Sequence, residues 1–147
     1  MKTKPITCQG CPLHTKGTGF GEAVGPKDAE ILFVGEALGA QEASTGEPFV
    51  GPAGMVFNKI LRSISLDRSK VRVHNIINCQ PPNNWLVGSP WEYQAIEHCS
   101  QYIKQTIEEG SQKVVVGLGA VASKVLSNLY GIKGVSIYDL HGAPPGS

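Results

Sequence analysis

Hydrophobic residues follow two kinds of pattern along this chain. Three short runs are rich in apolar residues: Ala29 to Val34, Val71 to Ile77 and Lys113 to Leu118. Continuous runs of this length fit strands buried on both faces of a parallel sheet, whereas half-exposed strands alternate. The remaining apolar positions show helical spacing. Phe57, Ile60, Leu61 and Ile64 fall on one face of a helix that follows Pro52-Ala53-Gly54. Ile96, Cys99, Ile103 and Ile107 share a face of a second, and Val121, Val125 and Leu129 a face of a third that covers Ala120 to Leu129 and stops at Gly131. The second helix has the best start signal, with Ser89 as N-cap, Pro90 at the first helical position and Glu92 closing a capping box. It is predicted to run to Glu109 before Gly110. Strands alternating with helices predict an α/β fold. No internal repeat or low-complexity linker is visible, and His141 to Ser147 reads as loop.

Length and composition add a limit. At 147 residues, 41% hydrophobic and 17% charged, residues 1–147 suit one globular domain with a real core. Thirteen basic against twelve acidic residues leave a net charge of +1, so no overall field marks a nucleic-acid partner. Local patches must carry any such affinity. No charged, apolar and small-residue leader is present, and no apolar run approaches the roughly 20 residues that cross a bilayer. The expected compartment is the cytosol.

The four cysteines then become informative. Cys8 and Cys11 form a Cys-x-x-Cys pair, and Cys79 and Cys99 supply two more thiols far downstream. Four thiolates satisfy a tetrahedral zinc or the corners of an iron–sulfur cube, so the spacing speaks for a metal without choosing it. Cys79 ends an apolar run and precedes Gln80-Pro81-Pro82, which predicts a strand that delivers the thiol to a rigid turn. Cys99 lies on the apolar face of its helix and is expected to point inward. Ordinary buried cysteines are the alternative reading, and disulfides are rare in the cytosol.

Glycine-rich segments at strand ends are where open α/β sheets place binding crevices. Gly35-Glu36-Ala37-Leu38-Gly39 follows the first strand run, but it lacks both a dinucleotide fingerprint and a Gly-Lys-Ser/Thr. Gly46 to Gly54 holds three glycines and two prolines around Phe49, which is either a core plug or a stacking platform. Asn75, a polar residue inside an apolar run, is either a satisfied buried amide or a reader of a ligand edge.

Cys8-x-x-Cys11-Pro12-Leu13, Val34-Gly35-Glu36-Ala37, Gly46-Glu47-Pro48-Phe49-Val50-Gly51-Pro52-Ala53-Gly54, Asn75-x-x-x-Cys79-x-Pro81-Pro82-x-Asn84, Glu97-x-Cys99 and Leu118-Gly119-Ala120-x-Ala122 together resemble the iron–sulfur uracil-DNA glycosylases, family four, in the family's order and across nearly all of the chain. The Asn84 to Pro90 segment further resembles glycosylase-like proteins of bacteriophages. The resemblance implies a three-layer α/β sandwich with a four-stranded parallel sheet, and a four-iron four-sulfur cluster held by Cys8, Cys11, Cys79 and Cys99, zinc being the lesser alternative. It also implies uracil-containing DNA as partner, in a bacterial or phage-infected cell and away from any membrane, with the uracil nucleotide turned out of the stack into a pocket. Phe49 then stacks on uracil, Asn75 reads its edge, and Gly35 and Ala37 belong to the loop beneath the sugar. Glu36 and Glu42 match acidic positions of that loop, and either is a candidate to orient water as catalytic residue, with Glu42 favoured. Lys2, Lys4, His14 and Lys16 lie beside the cysteines and can meet phosphates.

Three departures qualify what the resemblance implies. Leu38 replaces a proline, which predicts a looser loop. Nineteen residues separate Cys79 from Cys99, which predicts an enlarged loop holding Trp85 and Trp91. The family's last strand and its histidine motif have no counterpart, and His141 does not replace that histidine, so the expectation is a glycosylase domain cut before its final catalytic segment. The alternatives are a non-catalytic, cluster-bearing DNA-binding module of a larger phage replication or repair protein, with a downstream polypeptide or polymerase as partner, and a zinc-bound nucleotide-binding domain.

Overall fold

The computed structural model describes residues 3–131. In chain order the elements are α1 (Leu13–Lys16), β1 (Ile31–Ala37), α2 (Ala40–Thr45), α3 (Pro52–Ser63), β2 (Arg72–Ile77), α4 (Glu92–Glu109), β3 (Val114–Gly117) and α5 (Ala120–Tyr130). Short 3-10 turns occur at Ile6–Cys8, Arg68–Lys70 and Pro82–Asn84. The strands form one parallel sheet in the order β2-β1-β3, with Gly35 opposite Asn75 and Leu32 opposite Val115.

Strand alternation sorts the apolar runs into two cores. Leu32, Val34 and Ile76 pack against Ala95, Cys99 and Ile103 of α4 and against Ala122, Val125 and Leu126 of α5. On the other face Phe33 and Val73 meet Phe57 and Leu61 of α3, together with Phe49. Helices therefore cover both sides of the sheet, which is the three-layer α/β arrangement that the apolar runs and the resemblance predict. Phe57 and Ile103 are fully buried, and each such side chain contributes about 1.5–3 kcal/mol of transfer free energy. The outer edge of β2 is covered by the N-terminal segment through antiparallel bridges Val24–Val73 and Thr18–Gln80. Among the described residues no helix is long and apolar enough to cross a membrane.

Two boundaries differ from the sequence expectation. β1 continues past Val34 to Ala37 because its pairing with β2 persists to the Ala37–Ile77 position. α4 begins at Glu92 rather than at Pro90. Ser89 does not cap it: the Ser89 hydroxyl donates back to the Leu86 carbonyl at 2.6 Å, and the Glu92 carboxylate accepts from the Gly88 N–H at 2.8 Å. Gly88 to Trp91 is thus a turn laid against the helix start. His141 and the tail lie outside the described residues.

One strand face carries buried polar groups. Arg72 donates to the Thr106 carbonyl at 3.0 Å and to the Glu109 carboxylate at 2.8 Å, tying β2 to the end of α4. His74 is 1% exposed, with Nε2 lying 2.9 Å from the Asn78 amide nitrogen. Burial first, and the Arg72 charge second, push its pKa from 6.5 down to about 4. The unfolded chain takes up this proton near pH 6.5 and the folded chain only near pH 4, so between those values folding opposes protonation. Stability should be unaffected by this group above pH 6.5 and fall by about 3 kcal/mol as pH drops from 6.5 to 4. Urea unfolding of wild type and His74→Gln at pH 7 and pH 4.5 checks this, since the substitution should flatten the slope; equal slopes would reject the assignment.

Candidate functional site

The candidate site residues Gly35, Phe49 and Asn75 gather at the carboxyl ends of β1 and β2, where parallel sheets place binding crevices. Gly35 and Asn75 are paired across these strands and project to the α3 face. A Cβ built on Gly35 would overlap the Phe49 ring and come within 2.5 Å of the Asn75 Oδ1. Only glycine lets the aromatic and the amide approach the strand this closely. Asn75 is 3% exposed, and its side-chain amide makes no hydrogen bond to any described residue. An amide without a protein partner keeps its donors and acceptor available to another molecule.

Phe49 is 4% exposed and packs on Phe57 at a centroid separation of 4.8 Å. Its φ of 56° is a left-handed conformation that bulky residues rarely adopt. Such a backbone persists only where its surroundings over-determine it. Two charged side chains do so here. Arg68 donates to the carbonyls of Phe49 at 2.7 Å and Pro48 at 2.8 Å, while its guanidinium lies over the Phe57 ring. Glu42, 5% exposed, accepts from the N–H of Val50 at 3.1 Å and from that of Gly51 with one oxygen, and from the N–H of Gly39 at 3.0 Å with the other. One residue grips the carbonyls before and at the strained position, the other the amides after it.

This arrangement alters two expectations. Glu42, favoured from the sequence as the water-orienting acid, has both oxygens committed to backbone amides, so it acts as a positioning residue that joins the Gly39 turn to the Phe49 loop. Leu38, expected to loosen the loop, is 1% exposed and packs against Gly21. A branched side chain sunk in the core anchors the loop in place of proline's fixed φ. Arg68 was invisible to sequence reasoning, because an arginine nineteen residues from its acceptor carries no local signal.

Glu36 is not brought to Asn75. Alternation turns it to the α4 face, where burial first and the Glu92 charge second raise its carboxyl pKa. The loop before α4 follows the carboxyl end of β2, the end of the sheet at which Gly35 and Asn75 lie. Ala37, half-buried, closes β1 opposite Ile77.

The four cysteines are free, buried and gathered around one small cavity that Lys4, Leu13, His14, Phe20 and Asn78 also line. A Cβ on Gly17 would sit 2.6 Å from the Cys79 sulfur, so glycine is what lets the N-terminal segment close over it. The Tyr102 hydroxyl bridges Thr7 Oγ1 at 2.7 Å and Cys8 Sγ at 3.3 Å. Burial pushes the Cys79 and Cys99 thiols up to about 12 and raises Cys11 as well. Among the described residues, no three His, Cys, Asp or Glu side chains are grouped closely enough to hold a single metal ion.

A cleft of about 500 Å³ lies on the α4 face of β2, lined by Arg72, His74, Asn78 and Tyr102 among others. It is separate from the Gly35–Phe49–Asn75 crevice, because strand alternation puts Arg72 and His74 on the face opposite Asn75.

Comparison with known proteins bears on these features. Residues 22–142 match the family model described as the uracil DNA glycosylase superfamily. The chain is 38% identical over 137 residues to the type-4 uracil-DNA glycosylase of Archaeoglobus fulgidus, covering 93% of this chain and 67% of that protein. It is 39% identical to the type-4 uracil-DNA glycosylase of Thermotoga maritima over 93% of this chain and 68% of the relative, and 35% identical to that of Sulfurisphaera tokodaii over 97% and 63%. The chain thus spans about two thirds of the length of these relatives.

Proposed function

The chain belongs to the uracil-DNA glycosylase superfamily, and from that premise we propose that it hydrolyses the N-glycosidic bond of deoxyuridine in DNA. Asn75 carries this reading: a buried amide with no protein partner, opposite a glycine and beside an aromatic, has the chemistry of a base reader. Its carbonyl accepts from the uracil N3–H while its amine donates to O4. Cytosine offers the opposite pattern, with an amine at C4 and no proton on N3. The Phe49 ring edge reaches the same point, so an extruded uracil regains on it part of the stacking lost in leaving the duplex.

As the bond breaks, positive charge grows on the sugar and negative charge on the leaving uracil. The Asn75 donation to O4 strengthens with that negative charge, and a donor fixed in advance needs no reorganisation as the charge develops. Gly35 and Ala37 present backbone to the sugar. Of the two acidic candidates, Glu36 is the one whose carboxylate accepts no hydrogen bond among the described residues, and in this reading it orients water. Glu42 and Arg68 hold Phe49 in place.

The cysteine set fits a four-iron four-sulfur cluster. Four buried thiols share one cavity and none is in a disulfide. Cys8, Cys11, Cys79 and Cys99 would hold it. When bound, the cluster supplies no bond cleavage; it joins the N-terminal segment to the Cys79 turn and to α4.

Measuring free base released from uracil-containing single-stranded and duplex oligonucleotides tests the reading. Release of uracil, with none of cytosine or thymine, is the expected result. Binding without release would overturn the activity and favour the non-catalytic DNA-binding module.

A further inference from the structure

Resting on the reading of this chain as a DNA glycosylase, we infer that the loop between Cys79 and α4 is a preorganised stacking platform for unpaired bases beside the target nucleotide, with Trp85 as its contact surface. The motivating observation is that the loop is held rigid while its apolar surface stays in solvent. Trp85 is 46% exposed and Val87 57%, values that a core role does not explain.

The rigidity has several sources. Asn83 and Asn84 both take a left-handed φ of 56°, a conformation asparagine tolerates better than most residues, and the Asn84 carbonyl accepts from Gln80 at 3.0 Å. The Trp85 indole N–H donates to the Val87 carbonyl at 2.9 Å, and the Trp91 indole N–H donates to the Trp85 carbonyl at 2.8 Å. The two rings meet edge to face at 5.5 Å. Neither indole N–H is left free for a ligand, so a partner must meet the apolar face of Trp85.

Charge and position choose the partner. Lys16 lies 5.5 Å from the Trp91 ring centre, and residues 80–91 carry no carboxylate, the next one in sequence, Glu92, being bonded to the Gly88 N–H. A positive flank beside an exposed aromatic suits a phosphate backbone with bases that can be splayed onto the ring. Paired bases in a duplex have both faces covered by their neighbours, so an indole can stack only where the strand is open. The loop also leaves the carboxyl end of β2, the end of the sheet at which Asn75 pairs with Gly35. A strand whose uridine enters the crevice can therefore lay a flanking base on Trp85.

Fluorescence anisotropy with a uracil-free oligonucleotide, single-stranded and as a duplex, tests this with the full chain. Trp85→Ala should weaken single-strand binding by roughly 5- to 100-fold, and duplex binding by less than about twofold. Trp85→Phe should restore most of the loss. In a Trp91→Phe background, where Trp85 is the only indole left of two, single-stranded DNA should quench tryptophan emission and duplex should not. Unchanged single-strand affinity in a folded Trp85→Ala protein, equal losses for both DNA forms, or no quenching would overturn the platform. Uracil release with intact single-strand binding in Trp85→Ala would leave the glycosylase standing and remove the platform; stacking without any uracil release would do the reverse.

Discussion

Asn75→Asp should lower single-turnover excision of uracil by roughly 10²- to 10³-fold, about 3–4 kcal/mol, while changing affinity for uracil-free DNA by no more than about twofold. The substitution keeps size and shape. It removes the donor that faces O4 and sets a carboxylate where negative charge develops, so both the ground-state contact and its strengthening in the transition state are lost. Asn75 is 3% exposed, so a carboxylate there should also lower the melting temperature, and excision is therefore compared on protein shown to be folded at the assay temperature. Equal losses for uracil-containing and normal DNA would show Asn75 to be structural only.

Cys99→Ala should be the most damaging substitution for stability. Protein purified without oxygen is expected to be brown and to hold about four irons and four sulfides per chain. Removing one ligand should abolish the colour and destabilise the fold by more than about 4 kcal/mol, the range reached when a structural metal site is lost. The reason lies in what the centre connects. Cys8 and Cys11 sit on a segment with two short turns and no long helix, Cys79 follows the central run of β2, and Cys99 is on α4. Without the cluster those pieces meet around a small cavity lined by the four thiols. Iron and sulfide analysis with thermal melts of both proteins decides the matter. Colourless wild type with one zinc would overturn the cluster.

The apolar runs and helical spacings were legible because burial acts locally on each element. Val71 to Ile77 had to be a strand covered on both faces, and the α4 stripe through Cys99 and Ile103 had to face the sheet. The start of α4 was misplaced for a physical reason: Ser89 and Glu92 make a good capping pattern, but the turn at Gly88 took both side chains for its own hydrogen bonds. The short helix α2 escaped notice because it is one and a half turns of polar and small residues and owes its place to Glu42.

By itself the sequence determined which residues to single out as candidates: the four cysteines, the glycines, Phe49 and Asn75 all stand out by type and spacing. What each does was decided by tertiary structure. Phe49 was open between core and platform, and the fold packs it on Phe57 in the core while bringing its ring edge up to Gly35. Glu36 and Glu42 were equivalent as acidic residues after a glycine, yet strand alternation sends one toward α4 while helix α2 turns the other onto three backbone amides. Arg68 had no signal at all. Residue type and spacing report local preferences, whereas the commitment of a charged side chain depends on which orphaned amides and carbonyls the folded loops bring within about 3 Å, a distance no linear pattern encodes.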